Sequence, residues 1–233
     1  MTGVICAMDL ELQGILDMMD VSSESEKSGI KFYKGKIRGA DAVIAQCGIG
    51  KVNSAICTQI MIDLFSVDEI INSGVAGALS LDVTVGDVVV ATAAVQHDFD
   101  TTAFGAPKGL MEFDGERIIE IPADEALSET LFECAKKLED TNVFRGIIAT
   151  GDKFVADSEE RLSIGREFSA LACEMEGGAM AHVCRRAKVP YAILRSISDD
   201  IGHNTTVSFD EFKVMAAKKT VEIISDFFEK KAV

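Results

Sequence analysis

The sequence predicts an α/β layered fold in which strands alternate with helices. Three observations lead there. Short β-rich runs recur along the chain, several of them continuously apolar, as strands covered on both faces would be. Segments with apolar residues at helical spacing lie between those runs. Only three prolines occur in 233 residues, none in a Pro/Gly/Ser-rich linker, and 48% of residues are apolar, so 1–233 reads as one domain with a sizeable core.

Taken in order, strands are expected over GVICAM (3–8), AVIAQCG (42–48), EIINSGVAG (69–77) and GDVVVATAAV (86–95). Three more follow at FRGIIATGD (144–152), SALACEM (169–175) and YAILRSISD (191–199). Helices are expected over 51–65, 124–139 and 177–188, the last rich in small residues suited to close packing. A long amphipathic helix closes the chain, with Ser208 and Glu211 at capping-box spacing.

Charge and cysteines narrow the function. With 38 acidic against 23 basic residues the formal charge is −15, and no Lys/Arg stripe is available to displace counterions from a phosphate backbone, so nucleic acid is excluded as a partner. The six cysteines form no CxxC pair and sit mostly in apolar runs, which suits buried thiols in a reducing compartment. The three histidines lack ligand spacing to one another or to a cysteine, against a zinc site. The first residues enter an apolar strand without a basic leader, and no run of about 18 apolar residues suggests a membrane span. A cytoplasmic protein is expected.

Polar groups gather where apolar strands stop: AMDLE (7–11), SGVAG (73–77), CEMEGGA (173–179) and RSISDD (195–200). Glu174 and Glu176 stand one residue apart among small apolar neighbours, where an ionised carboxylate costs several kcal/mol, roughly, unless it is paired. A ligand with vicinal hydroxyls would complete their hydrogen bonding. Asp9 and Glu11 also suit a helix N-terminus, and Arg195 with Asp199 also suits a structural ion pair. GIGK (48–51) is not a Walker A motif and reads as a tight strand-to-helix turn beside a pocket.

In the order AMDLE, CGIGKVN, INSGVAG, VGDVVV, HDFDTTAFG, TGDKFV, EMEGGAMAHVC, RSISD and SFDEF, these stretches resemble the 5′-methylthioadenosine/S-adenosylhomocysteine nucleosidases of the purine and uridine phosphorylase superfamily. The resemblance runs from residue 3 to about residue 228. It implies a three-layer α/β/α sandwich around a mixed, partly barrel-like sheet, normally a homodimer, acting on adenine nucleosides with no metal or organic cofactor. It implies that Glu11 is the general base for the attacking water, with Arg195 and Glu176 helping to hold that water. Asp199 would be the general acid at adenine N7, kept protonated by burial or ligand contact. Glu176 would accept from the ribose hydroxyls, Met175 would pack on the sugar, and Glu174 would support from behind. Phe154 would stack on the purine, Val155 would offer backbone groups to its edge, and Ser198 would lie beside it. Met8, Ile49, Thr101 and Phe209 would line an apolar slot for the 5′ substituent, with Phe104 contributed across the dimer interface.

Val75 departs from a serine common in the family, so one hydrogen bond orienting Asp199 is expected to be missing or replaced by water. Three other activities bear on the choice. A phosphorylase would use phosphate in place of water, but the acid Glu11 stands at the first loop and a GDPGR-like stretch is absent. A silent nucleoside-binding protein would not need Glu11, Glu176 and Asp199 together. Aminodeoxyfutalosine hydrolysis would use the same residues.

Overall fold

The computed structural model describes residues 1–202 and 205–232, without the side chains of 205–208 and 211. In chain order the elements are β1 (Thr2–Cys6), α1 (Asp9–Leu16), β2 (Met19–Lys27), β3 (Ile30–Ile37), β4 (Ala40–Gln46), α2 (Lys51–Phe65), β5 (Glu69–Ala78) and β6 (Val88–Gln96). A 3-10 turn (Thr102–Phe104) leads to β7 (Met111–Phe113), β8 (Glu116–Ile118), β9 (Ile121–Pro122), α3 (Glu125–Ala135), β10 (Val143–Thr150) and α4 (Ser158–Phe168). The chain then forms β11 (Ala170–Glu174), α5 (Gly177–Ala187), β12 (Tyr191–Asp199) and α6 (Thr205–Lys231).

The strands run β11-β10-β6-β12-β5-β1-β4-β3-β2 across a mixed sheet. β11 also pairs antiparallel with β5, which curls β5, β12, β6, β10 and β11 into a closed barrel and leaves β1, β4, β3 and β2 as an open extension. Closure pairs the edge strand β11, which would otherwise need covering, and leaves β2 as the outer strand of the extension. Barrel strands are buried on both faces, and all nine residues of β12 are buried, which is why they read as unbroken apolar runs. Cys57 and Met61 of α2 and Met180, Ala181 and Cys184 of α5 pack into one apolar layer. Leu12 and Ile15 of α1, Leu127 and Leu131 of α3, and Ile224, Phe227 and Phe228 of α6 form the opposite layer. The architecture is the expected three-layer sandwich with a partly barrel-like sheet.

The barrel closes at Gly77, which is opposite Cys173 of β11 and Asp199 of β12. The tips of β5, β11 and β12 therefore meet at one residue. The β5–β12 register slips between Ile197 and Asp199, making Ser198 the extra residue of a bulge, and a bulge re-aims the side chains that follow it. Ligand sites in layered α/β proteins form at such strand ends.

Several elements were not foreseen. β2 and β3 form a hairpin through Ser28 and Gly29, both at positive φ (53° and 76°) as a two-residue primed turn requires. Only Met19 of β2 is buried, so SSESEK carries no core-facing pattern to read. Helix α1 begins at Asp9, where the helix N-terminus was weighed, whereas α4 was missed, although Asp157 caps it by accepting from the Glu160 amide at 2.8 Å. Helix α6 starts at Thr205, ahead of the expected cap. The Ser208 and Glu211 side chains lie outside the described residues. All six cysteines are buried and unpaired.

Candidate active site

A cavity opens where β1, β5, β11 and β12 end, and nine of the residues expected at the site line it: Met8, Glu11, Ile49, Phe154, Met175, Glu176, Ser198, Asp199 and Phe209. A wider groove beside α1 and β3 has its two charged side chains, Asp9 and Lys31, exposed, and no buried carboxylate lines it.

Glu11 occupies the third position of α1, and its carboxylate reaches back to accept the amides of Ala7 (2.9 Å) and Met8 (3.0 Å). Its other oxygen accepts the Val75 amide at 3.2 Å. The side chain thus caps its own helix while facing the cavity, so the helix-terminus reading and the functional one both hold. Burial raises its pKa above the ordinary value, opposed by those amides and by Arg195. A carboxylate with lone pairs to spare and a raised pKa is suited to take a proton from water.

The two acids of EME separate cleanly. Glu174 is consumed by the protein: it accepts the amides of Glu176 (3.0 Å) and Gly177 (2.7 Å), takes the Thr150 hydroxyl, and forms a buried ion pair with Arg195. Among the described residues Glu176 has one protein donor, the Gly50 amide at 2.8 Å, supplied by the GIGK turn. Lys51 of that turn pairs with Asp98 at 2.6 Å, so its charge is already met. Burial and the neighbouring Glu174 charge push the Glu176 pKa up to about 7. Ribose hydroxyls donating to it would favour the ionised form, so substrate binding is expected to draw that proton off.

The sign of this shift gives a stability test. An acid raised in the folded state releases its proton first in the unfolded chain, so stability falls as pH rises from about 4.5 to about 7. Glu176→Gln is expected to flatten that fall and to stabilise the ligand-free protein at pH 8 by at most about 3 kcal/mol, read as Tm against pH for both proteins. Glu11 shifts in the same direction, so part of the slope should remain.

Asp199 is 1% exposed, and it is in a buried ion pair with Arg161 of α4, which sequence reasoning missed. The Ser198 hydroxyl lies 2.7 Å from the other carboxylate oxygen, Oδ1, and 3.3 Å from the Ala76 carbonyl. Val75 has no hydroxyl to give Asp199, as expected from the sequence, and its amide goes to Glu11; the hydroxyl at Asp199 Oδ1 is that of Ser198. Burial alone does not surround Asp199, since a guanidinium meets it. One signal could have revealed Arg161: it shares the buried face of α4 with Ile164 and Phe168, a charge on an apolar stripe.

Four expected residues stand elsewhere. Arg195 lies behind the cavity, its terminal nitrogens engaged by Glu174, by the Asn72 side chain, and by the carbonyls of Asn72 and Leu194 (both 2.9 Å). Its Nε is buried without a partner among the described residues. Val155 is packed with Ile164 and Phe168 instead of lining the cavity, and its carbonyl accepts Arg161 Nε at 2.7 Å. Phe104 is 91% exposed on the 3-10 turn, away from this chain's cavity, and Thr101 before it does not line the cavity either. Phe154 and Phe209 meet edge to face, 5.6 Å between centroids.

A barrel-cored α/β sandwich with four buried acids, Glu11, Glu174, Glu176 and Asp199, around one cavity defines a nucleoside phosphorylase-like protein. Residues 2–229 match the family model described as the Phosphorylase superfamily. The chain is 34% identical to the 5′-methylthioadenosine/S-adenosylhomocysteine nucleosidase of Shewanella denitrificans, covering 95% of this chain and 96% of that protein. It is 37% identical to the aminodeoxyfutalosine nucleosidase of Campylobacter jejuni, covering 97% of each. The crystal structure of the Neisseria meningitidis methylthioadenosine/adenosylhomocysteine nucleosidase with methylthio-immucillin-A superposes with a TM-score of 0.90 at 34% identity, covering 98% of both chains. The chain belongs to the Phosphorylase superfamily and, within it, to the 5′-methylthioadenosine/S-adenosylhomocysteine nucleosidase family.

Proposed function

We propose that the protein hydrolyses the N-glycosidic bond of 5′-methylthioadenosine and S-adenosylhomocysteine, releasing adenine and the 5-thioribose product. The observation that carries this is the placement of Glu11, Glu176 and Asp199 around one cavity. Breaking the bond builds positive charge on ribose and negative charge on departing adenine. Glu11 takes the proton of the attacking water, and Glu176 accepts from the ribose hydroxyls and faces the developing positive charge in a dry site. Asp199 supplies the proton to adenine N7, and Ser198 is the polar group beside it. Phe154 stacks on the purine, Met175 packs on the sugar, and Met8, Ile49 and Phe209 receive the thioalkyl group. Arg195 acts through Glu174, which also holds the start of α5. This chemistry calls on no metal or organic cofactor.

The same reading has residues 1–233 working as one nucleosidase unit in the cytoplasm, in methionine salvage, as a homodimer. Buried unpaired thiols suit a reducing compartment, and among the described residues no helix is long and apolar enough to cross a membrane. The exposed apolar side chains Ile49, Val52 and Ile56, with Phe104 at 91%, suit an interface in which Phe104 completes the partner's thioalkyl slot. Phe104→Ala is then expected to raise KM for methylthioadenosine several-fold and to leave adenosine little changed. A fully active dilute monomer would contradict the shared slot.

A second substrate, aminodeoxyfutalosine, is favoured by the Campylobacter relative. Adenine release across methylthioadenosine, adenosylhomocysteine, 5′-deoxyadenosine, adenosine and aminodeoxyfutalosine tests both readings. Preference for the 5′-thioalkyl nucleosides is the expected result, and failure to release adenine from any of them contradicts the activity.

A further inference from the structure

Arg161 spans the two walls of the purine half of the cavity. Its Nε donates to the Val155 carbonyl at 2.7 Å, next to Phe154, and its Nη2 pairs with Oδ2 of Asp199 at the end of β12. Its Nη1 lies 3.5 Å from the Asp199 carbonyl. The side chain is 1% exposed, so each of these contacts is made without competing water. The barrel is also shaped to admit the pair. A Cβ on Gly77 would lie 2.7 Å from Arg161 Nη2, 2.9 Å from its Cζ and 2.8 Å from Asp199 Oδ2, so the closing residue of the barrel has no side chain where the ion pair passes.

A guanidinium has donors only. While Nη2 is directed at Oδ2, that oxygen can act as an acceptor but has no room for a proton of its own. Oδ1 has a different neighbour, the Ser198 hydroxyl, which can both donate and accept. With Asp199 ionised, Ser198 donates to Oδ1; with a proton on Oδ1, Ser198 can accept it and turn its own hydrogen to the Ala76 carbonyl, 3.3 Å away. One hydroxyl rotation therefore accommodates both states of Asp199, and only at Oδ1.

We propose that Arg161 is a positioning residue for the leaving-group acid: it pins Oδ2 of Asp199 as a permanent acceptor, so that the proton given to the purine is carried on Oδ1, and it locks Asp199 to the Phe154–Val155 wall against which the purine lies. This rests on the reading of Asp199 as the acid. In the step itself the Oδ1–H bond breaks, its proton passes to N7, and the electron pair stays on the carboxylate, which Arg161 then faces at Oδ2. The C1′–N9 electron pair leaves with adenine, and water supplies the new C1′–O bond and the proton that Glu11 takes.

The test compares two substrates in Arg161→Met, Arg161→Lys and Gly77→Ala, with Asp199→Asn as reference: methylthioadenosine, and a nitrophenyl 5-methylthioriboside whose leaving group departs without a proton. Misplacing the acid is expected to lower kcat for methylthioadenosine about 100-fold in Arg161→Met, with KM changed only a few-fold. The nitrophenyl substrate should stay within about 3-fold of the unaltered protein, an order-of-magnitude bound on a step that needs no acid. Arg161→Lys should recover part of the loss, because an ammonium can still donate to Oδ2. Gly77→Ala should repeat the split with Arg161 still present, which keeps the test open if Arg161→Met does not fold. Equal losses on both substrates, a change in KM alone, or no loss at all would overturn the proposal. If Asp199→Asn shows the split and the Arg161 and Gly77 variants do not, only this inference falls. If Asp199→Asn itself shows no split, the acid assignment falls and the inference with it.

Discussion

In Glu11→Gln, kcat for methylthioadenosine is expected to fall by about 10²–10⁴-fold, the usual worth of a general base, with substrate binding changed little. The amide keeps the shape of the side chain and can still accept the Ala7 and Met8 amides through its oxygen, as the carboxylate does at 2.9 and 3.0 Å. Its NH₂ would confront the Val75 amide, which now donates at 3.2 Å, so a small stability loss at the tip of β5 should accompany the kinetic one. The loss should be the same for every leaving group, because water must be activated whichever base departs. Steady-state rates with methylthioadenosine and with the nitrophenyl thioriboside check this. Recovery of the variant on the activated substrate would remove Glu11 from the role of base.

Asp199→Asn is expected to lose a comparable factor on methylthioadenosine for a different reason. Asparagine can donate a hydrogen bond to N7 but has no proton to transfer, so the defect should shrink for a leaving group that needs none. The substitution also removes one partner of the buried pair with Arg161, and stranding a buried charge typically costs about 3–5 kcal/mol. A lowered Tm is therefore expected alongside the kinetic defect. The contrast between substrates within each variant separates the two acids: partial rescue in Asp199→Asn and none in Glu11→Gln. Equal rescue in both, or in neither, would mean that the roles are exchanged or misassigned.

Much of the framework was legible because barrel strands are buried on both faces and so write themselves as apolar runs; β12, with every residue buried, spans the segment expected for it. The hairpin β2–β3 left no such trace, since its outer strand contacts solvent almost throughout. Glu174 and Glu176 were conspicuous as charges in an apolar setting, yet their division of labour depends on non-local partners. Thr150, Arg195 and the start of α5 consume Glu174, whereas among the described residues only the Gly50 amide is directed at Glu176. No local spacing encodes those contacts. Arg161 was hidden for the same reason in part: its partners lie 6 and 38 residues away, and only the burial of its helix face singles it out. The bulge at the end of β12 brings the Ser198 hydroxyl onto Asp199, a contact between chain neighbours that plain strand alternation would not give.

Whether water or phosphate attacks the sugar decides the central claim. The direct measurement is ³¹P NMR of a complete turnover of methylthioadenosine in phosphate buffer, with adenine followed in parallel and a phosphate-free reaction as control. Hydrolysis through Glu11 predicts stoichiometric adenine, free 5-methylthioribose, equal rates with and without phosphate, and no new phosphorus resonance. A sugar 1-phosphate signal growing with adenine, and a rate that vanishes without phosphate, would contradict it.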